Sequence, residues 1–283
     1  MFTLHNGDCL QVMPSIPSGS IDAIITDLPY GTTACKWDTV IEFAPMWKEV
    51  KRVLKPNGAF ITTASQPFTS ALIMSNPSNF KCEWIWYKTH SSNFSLAKKH
   101  PLKAHENVVV FGYGSVTYNP QMVKKQKPVD DRNWKNNGQS ENGNFASKIK
   151  HRYVRNESYP KSLIDINSTA KECNHTKRLH PTQKPVALYE YLIKTYTNEG
   201  ETVLDIAMGS GTTIEAAERT GRNSIGIEKD EGIFQSAVLR LKSFTPSNNR
   251  LHMDAGDSPR LPSQSTLEGF TPAEQGTTPA PRQ

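Results

Sequence analysis

The chain of 283 residues holds only four cysteines, and no two of them form a C-x-x-C pair. Cys9, Cys35, Cys82 and Cys173 are spread too widely for a small disulfide framework. Cys173, His175 and His180 lie close in sequence. Their spacing matches no standard zinc site and a fourth ligand is missing, so no metal is expected. No apolar run approaches the roughly 18 residues that span a bilayer. The segment Met1 to Asp8 lacks the basic-then-apolar shape of a secretion signal. A cytoplasmic protein with no membrane partner is the expectation. The G-x-x-x-x-G-K-[ST] loop is also absent, which leaves nucleoside triphosphate hydrolysis unsupported. No internal repeat is evident.

A chain of this length can bury one sizeable core with an inserted module. Its net charge is +6, weak evidence for nucleic acid by itself. The distribution says more. Residues 118–179 carry 13 Lys and Arg against 6 Asp and Glu. The rest of the chain is close to neutral, so a basic insert on a neutral body offers a surface to a polyanion.

Periodicity predicts a buried strand over 21–27 and a helix over 42–54, with Phe43, Met46, Trp47, Val50 and Leu54 on one stripe. Lys55-Pro56-Asn57-Gly58 stops that helix, and 59–64 reads as the next strand. A short helix is expected over 68–76. Strands over 80–88 and 106–113 are expected to pair as antiparallel neighbours. Periodicity fades over 114–180 and returns at Pro185, where a helix starts with Leu188, Leu192, Ile193 and Tyr196 on one face. Strand 201–206, helix 212–220, strand 223–228 and helix 231–244 follow. This alternation predicts a mostly parallel, doubly wound sheet. The tail, 245–283, holds many Pro, Ser and Thr and few large apolar residues, so disorder is expected.

Two segments carry chemistry. Val203-Leu204-Asp205 leads into Gly209-Ser210-Gly211, and Thr212 opens a helix. Glycines after a strand let the backbone approach a ligand closely. Glu228, at the end of the next strand, is placed to accept ribose hydroxyls; alternatively it caps the following helix. A dinucleotide dehydrogenase is compatible with the glycines alone, but gives no work to the other segment, Asp27-Leu28-Pro29-Tyr30. An exocyclic base amine is a poor nucleophile because its lone pair is delocalised. Asp27 supplies a carboxylate acceptor for its hydrogens and the Leu28 carbonyl a second. Pro29 stiffens the turn, and Tyr30 offers a face for stacking. In a duplex that amine is hidden, so the base must be flipped out.

On these residues the chain, over about 4–242, resembles the β-group of S-adenosylmethionine-dependent DNA amino-methyltransferases. Asp27-Leu28-Pro29-Tyr30 is similar to D-P-P-Y, and Asp205 to Thr213 is similar to D-P-F-x-G-S-G-T-T. Asn6-Gly7-Asp8 resembles the opening N-G-D segment, and His180 to Pro185 the H-P-T-Q-K-P segment. The resemblance implies a Rossmann-like methyltransferase sheet with a catalytic half over 1–113, a target-recognition insert over 114–179 and a cofactor half over 180–244. It implies S-adenosylmethionine as cofactor. Asp8 would contact its adenine ring, and Thr182, Gln183 and Lys184 its methionine end. Asp205, Met208, Gly209, Ser210, Gly211 and Thr212 would form the turn, and Glu228 would hold the ribose. Lys124, Lys125, Lys127, Arg132, Lys148, Lys150, Arg152 and Arg155 in the insert would meet phosphates of double-stranded DNA. His105-Glu106 resembles a segment read as structural.

Two departures stand out. Leu28 replaces a proline of which only the carbonyl is needed, and Ile206-Ala207 replace Pro-Phe, losing an aromatic that packs on the cofactor. Family members with Asp at the first motif position mostly modify adenine N6, so adenine is expected. Cytosine N4 methylation and a DNA-binding protein with a decayed cofactor site are the alternatives. A bacterial or phage setting and a monomer or homodimer are implied.

Overall fold

A computed structural model describes residues 1–32, 38–130, 154–166, 183–244 and 252–253. In chain order the strands and α-helices are β1 (Phe2–Asn6), α1 (Cys9–Val12), β2 (Ile21–Thr26), α2 (Phe43–Val53), β3 (Leu54–Ala64), α3 (Phe68–Ser75), β4 (Phe80–Ser92), β5 (Lys103–Phe111), β6 (Val123–Asp130), β7 (Val154–Ser158), β8 (Leu163–Asp165), α4 (Val186–Tyr196), β9 (Thr202–Asp205), α5 (Thr212–Arg219), β10 (Asn223–Glu228), α6 (Glu231–Phe244) and β11 (His252–Met253). Among the described residues, one nine-stranded sheet has the order β11-β1-β10-β9-β2-β3-β5-β4-β8. Every neighbouring pair in it is parallel except the two made by β5.

Alternation along the strands assigns the two faces. Ile24, Phe60 and Leu204 point to the layer of α1, α2 and α3, where Met46, Trp47, Val50 and Leu72 meet them. Ala23, Ile25, Ile61 and Val203 point the other way, onto Leu188, Leu192 and Ile193 of α4 and Ala216 and Ala217 of α5. Each fully buried Leu or Ile contributes about 1.5–3 kcal/mol from its apolar area. α6 closes the β1–β10 end through Phe234, Val238 and Leu241 against Phe2 and Leu4.

Most elements lie within a residue or two of their predicted bounds, and β4 and β5 pair antiparallel as expected. Four differences have physical reasons. β1 was not foreseen: it is five residues long, and its Phe2 and Leu4 find their core only once α6 has returned. Residues 55–58 stop α2 but run inside β3, because Leu54 pairs with Ile21 and an irregularity absorbs the turn before Ala23 pairs with Ala59. The aperiodic insert contains strands. β6 and β7 form a two-stranded sheet, and β8 adds to the main sheet beside β4. The tail was expected to be disordered from 245 onward, yet His252–Met253 pair with Thr3 and Leu4. The open edge of β1 offers backbone groups there that this segment satisfies. The rest of the tail, and Cys35, Cys173, His175 and His180, lie outside the described residues.

Candidate active site

Chain order reverses between β9 and β2, neighbours in the sheet whose onward connections run to opposite sides. In such sheets the crevice beyond the carboxyl ends of the strands is where ligands sit. Asp27 follows β2, Asp205 ends β9, Glu228 ends β10 and Asp8 follows β1. The two motifs, far apart in sequence, are thereby neighbours. The Thr26 hydroxyl donates to Asp205 Oδ1 at 2.7 Å.

The glycine-turn corner is built largely from carboxylates on backbone amides. Gly209 and Gly211 have φ of +52° and +80°, the left-handed region that suits glycine. Glu228 Oε2 accepts from the Gly209 amide at 2.9 Å, and its Oε1 from the Asp230 amide at 2.8 Å. The cap of α6 is Asp230, whose Oδ1 accepts from the Ile233 amide at 2.9 Å. Asp205 accepts from the Ala207 amide at 3.1 Å. Burial pushes the Asp205 carboxyl up to about 6 against the hydrogen bonds from Thr213, Thr26 and Ala207. Burial likewise raises Glu228, opposed by its backbone donors. Asp8 caps α1 by accepting from the Leu10 amide at 2.9 Å and pairs with Lys229 at 2.9 Å. Burial works against its charge, but Lys229 holds the carboxyl below the usual range.

Ser210 and Thr212 lie on the inner side of the turn. Arg240 of α6 donates to the Ser210 carbonyl at 2.7 Å, and the hydroxyls of Ser210 and Thr212 are within reach of the same guanidinium. Arg240 also pairs with Glu215 of α5, and both are buried. Glu215 takes a second partner, Arg219, at 2.6 Å. Sequence reasoning missed this support: its partners stand on different helices and follow no motif. Met208 is buried against Phe2, Leu4 and Ile214.

The Asp27 corner is ionic. Asp27 Oδ1 accepts from the Tyr30 hydroxyl at 2.9 Å and from the Thr63 hydroxyl. Its Oδ2 accepts from Lys184 Nζ at 2.7 Å. Lys184 stands just before α4, whose cap is Pro185. Its ammonium also lies 3.4 Å from Glu106 Oε2 on β5 and 5.6 Å from the centre of the Tyr30 ring. Lys88 of β4 pairs with Glu106 Oε1 at 2.5 Å. Burial disfavours the Lys184 charge, yet Asp27 and then Glu106 hold its pKa above the ordinary lysine value. Burial also opposes ionisation of Glu106, and Lys184 and Lys88 overcome it. Burial, with Asp27 and Glu106 nearby, keeps the Tyr30 hydroxyl protonated far above its ordinary range. The Tyr30 ring stacks on Phe68 at 5.2 Å between centroids. Leu28 buries its side chain in the core beneath. Beyond Tyr30, the Gly31 and Thr32 amides donate to Asp38 at 2.8 and 2.9 Å, closing the loop.

Asp27, Tyr30 and Lys184 are thus brought into one cluster, with Asp205 close beside it. Gln183 adjoins Lys184, while Thr182 lies outside the described residues. Glu106 was read as structural and stands in the cluster. Its signal was available: antiparallel β5 starts at the edge where parallel strands end, and Asn107 pairs with Ala64. Lys124 and Lys125 stand on β6, with Lys124 opposite Glu157 of β7. Lys127 and Arg155 are on the same two strands. Arg132, Lys148, Lys150 and Arg152 lie outside the described residues. Among the described residues no helix is long and apolar enough to cross a membrane.

A fold of this topology, with an acidic turn and a glycine turn on adjacent strand ends, defines an α/β protein of the doubly wound class with a ligand crevice at its switch point. The profile of the N6_N4_Mtase family, described as DNA methylase, matches residues 21–239, and the chain belongs to that family. The chain is 30% identical over 264 residues to the DNA adenine methyltransferase YhdJ of Escherichia coli (strain K12), covering 84% of this chain and 82% of that one. It is 26% identical over 249 residues to the Type II methyltransferase M.HpaI of Haemophilus parainfluenzae, covering 83% and 73%. The fold is shared with the M1.HpyAVI–SAM complex (TM-score 0.56, 24% identity, covering 85% of this chain and 100% of that one). It is shared equally with the cytosine-N4-specific PvuII DNA methyltransferase (TM-score 0.58, 19% identity, covering 88% and 90%).

Proposed function

We propose that the chain transfers a methyl group from S-adenosylmethionine to N6 of adenine in double-stranded DNA. The observation that carries this reading is the acceptor count at Asp27. A carboxylate has about four acceptor sites. Donors from the described residues fill both on Oδ1 and one on Oδ2. The remaining site on Oδ2 takes one hydrogen of the amine, and the Leu28 carbonyl takes the other. Tyr30, its ring fixed by Phe68 and its hydroxyl by Asp27, stacks the flipped base, and Pro29 stiffens the turn between them. Catalysis is positioning and electrostatics with no covalent intermediate.

S-adenosylmethionine supplies an electrophilic methyl group on a sulfonium. The residues present fit it. A side chain at Gly209 would extend into open space, so the turn is open on the side from which a ligand approaches. Acids stand at the ends of β1, β9 and β10 around it. Asp8, Glu228, Gln183 and the Met208–Gly211 backbone would hold the cofactor, with Thr182 in the same segment. Asp205 would keep the turn in shape. Lys124, Lys125, Lys127 and Arg155 on the β6–β7 ribbon, with Arg132, Lys148, Lys150 and Arg152 in the sequence that joins β6 to β7, would meet DNA phosphates. A monomer or homodimer in the cytoplasm of a bacterial or phage-infected cell is the setting we infer.

Adenine is favoured by Asp at position 27 and by the likeness to YhdJ. The test is transfer from labelled S-adenosylmethionine to unmethylated DNA, followed by digestion and nucleoside identification. The expected product is N6-methyladenine. Label in N4-methylcytosine would retain the reaction and overturn the substrate. No label and no cofactor binding, with DNA binding intact, would favour the decayed-site alternative.

A further inference from the structure

We propose that Glu106 is a positioning residue for methyl transfer: it holds Lys184 between two carboxylates and draws the ammonium off Asp27 when the target amine occupies the free site on Asp27 Oδ2. The inference rests on the function proposed above.

Lys184 Nζ sits 2.7 Å from Asp27 Oδ2 and 3.4 Å from Glu106 Oε2. The bond to Asp27 is therefore short, and the contact with Glu106 is a longer ion pair. Among the described residues Glu106 Oε2 is buried and makes no hydrogen bond of good geometry, its contact being the long ion pair with Lys184. A buried carboxylate oxygen left in that state is costly, and a shift of Lys184 of under an ångström would satisfy it. Glu106 itself cannot follow, because Lys88 holds its Oε1 at 2.5 Å.

The chemistry supplies the reason to move. In the transition state the amine nitrogen gains positive charge as it bonds the methyl carbon. A fixed ammonium on the same carboxylate oxygen would oppose that charge and weaken Asp27 as an acceptor. Moving Lys184 towards Glu106 relieves both effects. Tyr30 and Thr63 bind only Oδ1, so the carboxylate keeps its aim during the exchange.

Glu106→Gln keeps the shape and removes the charge. Single-turnover transfer should fall about 10- to 100-fold, while S-adenosylmethionine affinity, read by calorimetry, stays within about twofold. Lys184→Met should be impaired as well, and the double variant should be no worse than Lys184→Met, because Glu106 acts through Lys184. Glu106→Asp, which retains the charge, should recover much of the rate; it also carries the same cycle with Lys184→Met should Glu106→Gln fail to bind cofactor. Wild-type transfer with an unimpaired Glu106→Gln, losses that multiply in the double variant, or Glu106→Asp as inactive as Glu106→Gln would each overturn the role of Glu106 alone. A wild-type protein that labels no DNA base would overturn the underlying function, and the inference with it.

Discussion

The two corners of the crevice solve one problem, holding a carboxylate at a strand end, by different means. At the glycine-turn corner Glu228 is tied to backbone amides of Gly209 and Asp230, and Asp205 to the amide of Ala207 and the hydroxyl of Thr26. All of these are near in sequence or on an adjoining strand. At the Asp27 corner the carboxylate is tied to side chains from two remote segments, Thr63 after a crossover and Lys184 before α4, with Glu106 of β5 behind Lys184. Backbone donors are fixed once the turn forms, which suits the proposed cofactor site. Side-chain donors can be exchanged, which suits the proposed site for a base that enters and gains charge.

The sharpest break on the cofactor side is behind the turn. Arg240→Met leaves Glu215 with only the half-exposed Arg219 and frees the Ser210 carbonyl. Removing one partner of a buried ion pair costs about 3–5 kcal/mol. Thermal melting should show that loss, with cofactor binding reduced alongside. An unchanged melting temperature would mean the turn does not depend on this pair.

A smaller effect concerns pH. The folded Asp205 pKa of about 6 lies above its unfolded value. The folded state therefore binds more protons between the two values, and stability falls as pH rises through that window. Above it, the charged group costs the fold about 3 kcal/mol. Asp205→Asn, which keeps acceptors for Thr26 and Ala207, removes that cost. Denaturant unfolding should find the variant gaining on wild type from pH 4 to pH 7 and level beyond. Parallel curves would contradict the assignment.

The same contrast explains what the residues disclosed in advance. The glycine turn, Glu228 and the strand–helix alternation are local patterns, and all were legible. So was the antiparallel pair β4–β5, from adjacency. β1 was not, because its hydrophobic residues are matched by α6 at the far end of the chain. β6, β7 and β8 lie in a segment without apolar period, where backbone pairing decides. Asp27 was legible as chemistry, but its contact with Lys184 arises only from the adjacency of β2 and β9. Glu106 looked structural because a carboxylate in a strand shows its partners only when the sheet is assembled.

The separation of the two corners is tested most directly by measuring S-adenosylmethionine affinity and single-turnover transfer to DNA in Asp27→Ala and Glu228→Gln. Asp27→Ala should lose transfer by about 10²–10³-fold and keep cofactor affinity near wild type. Glu228→Gln should weaken cofactor binding about tenfold or more, as loss of a charge-assisted bond predicts, and retain most of the transfer rate at saturating cofactor. Equal losses of both properties in both variants would contradict the account.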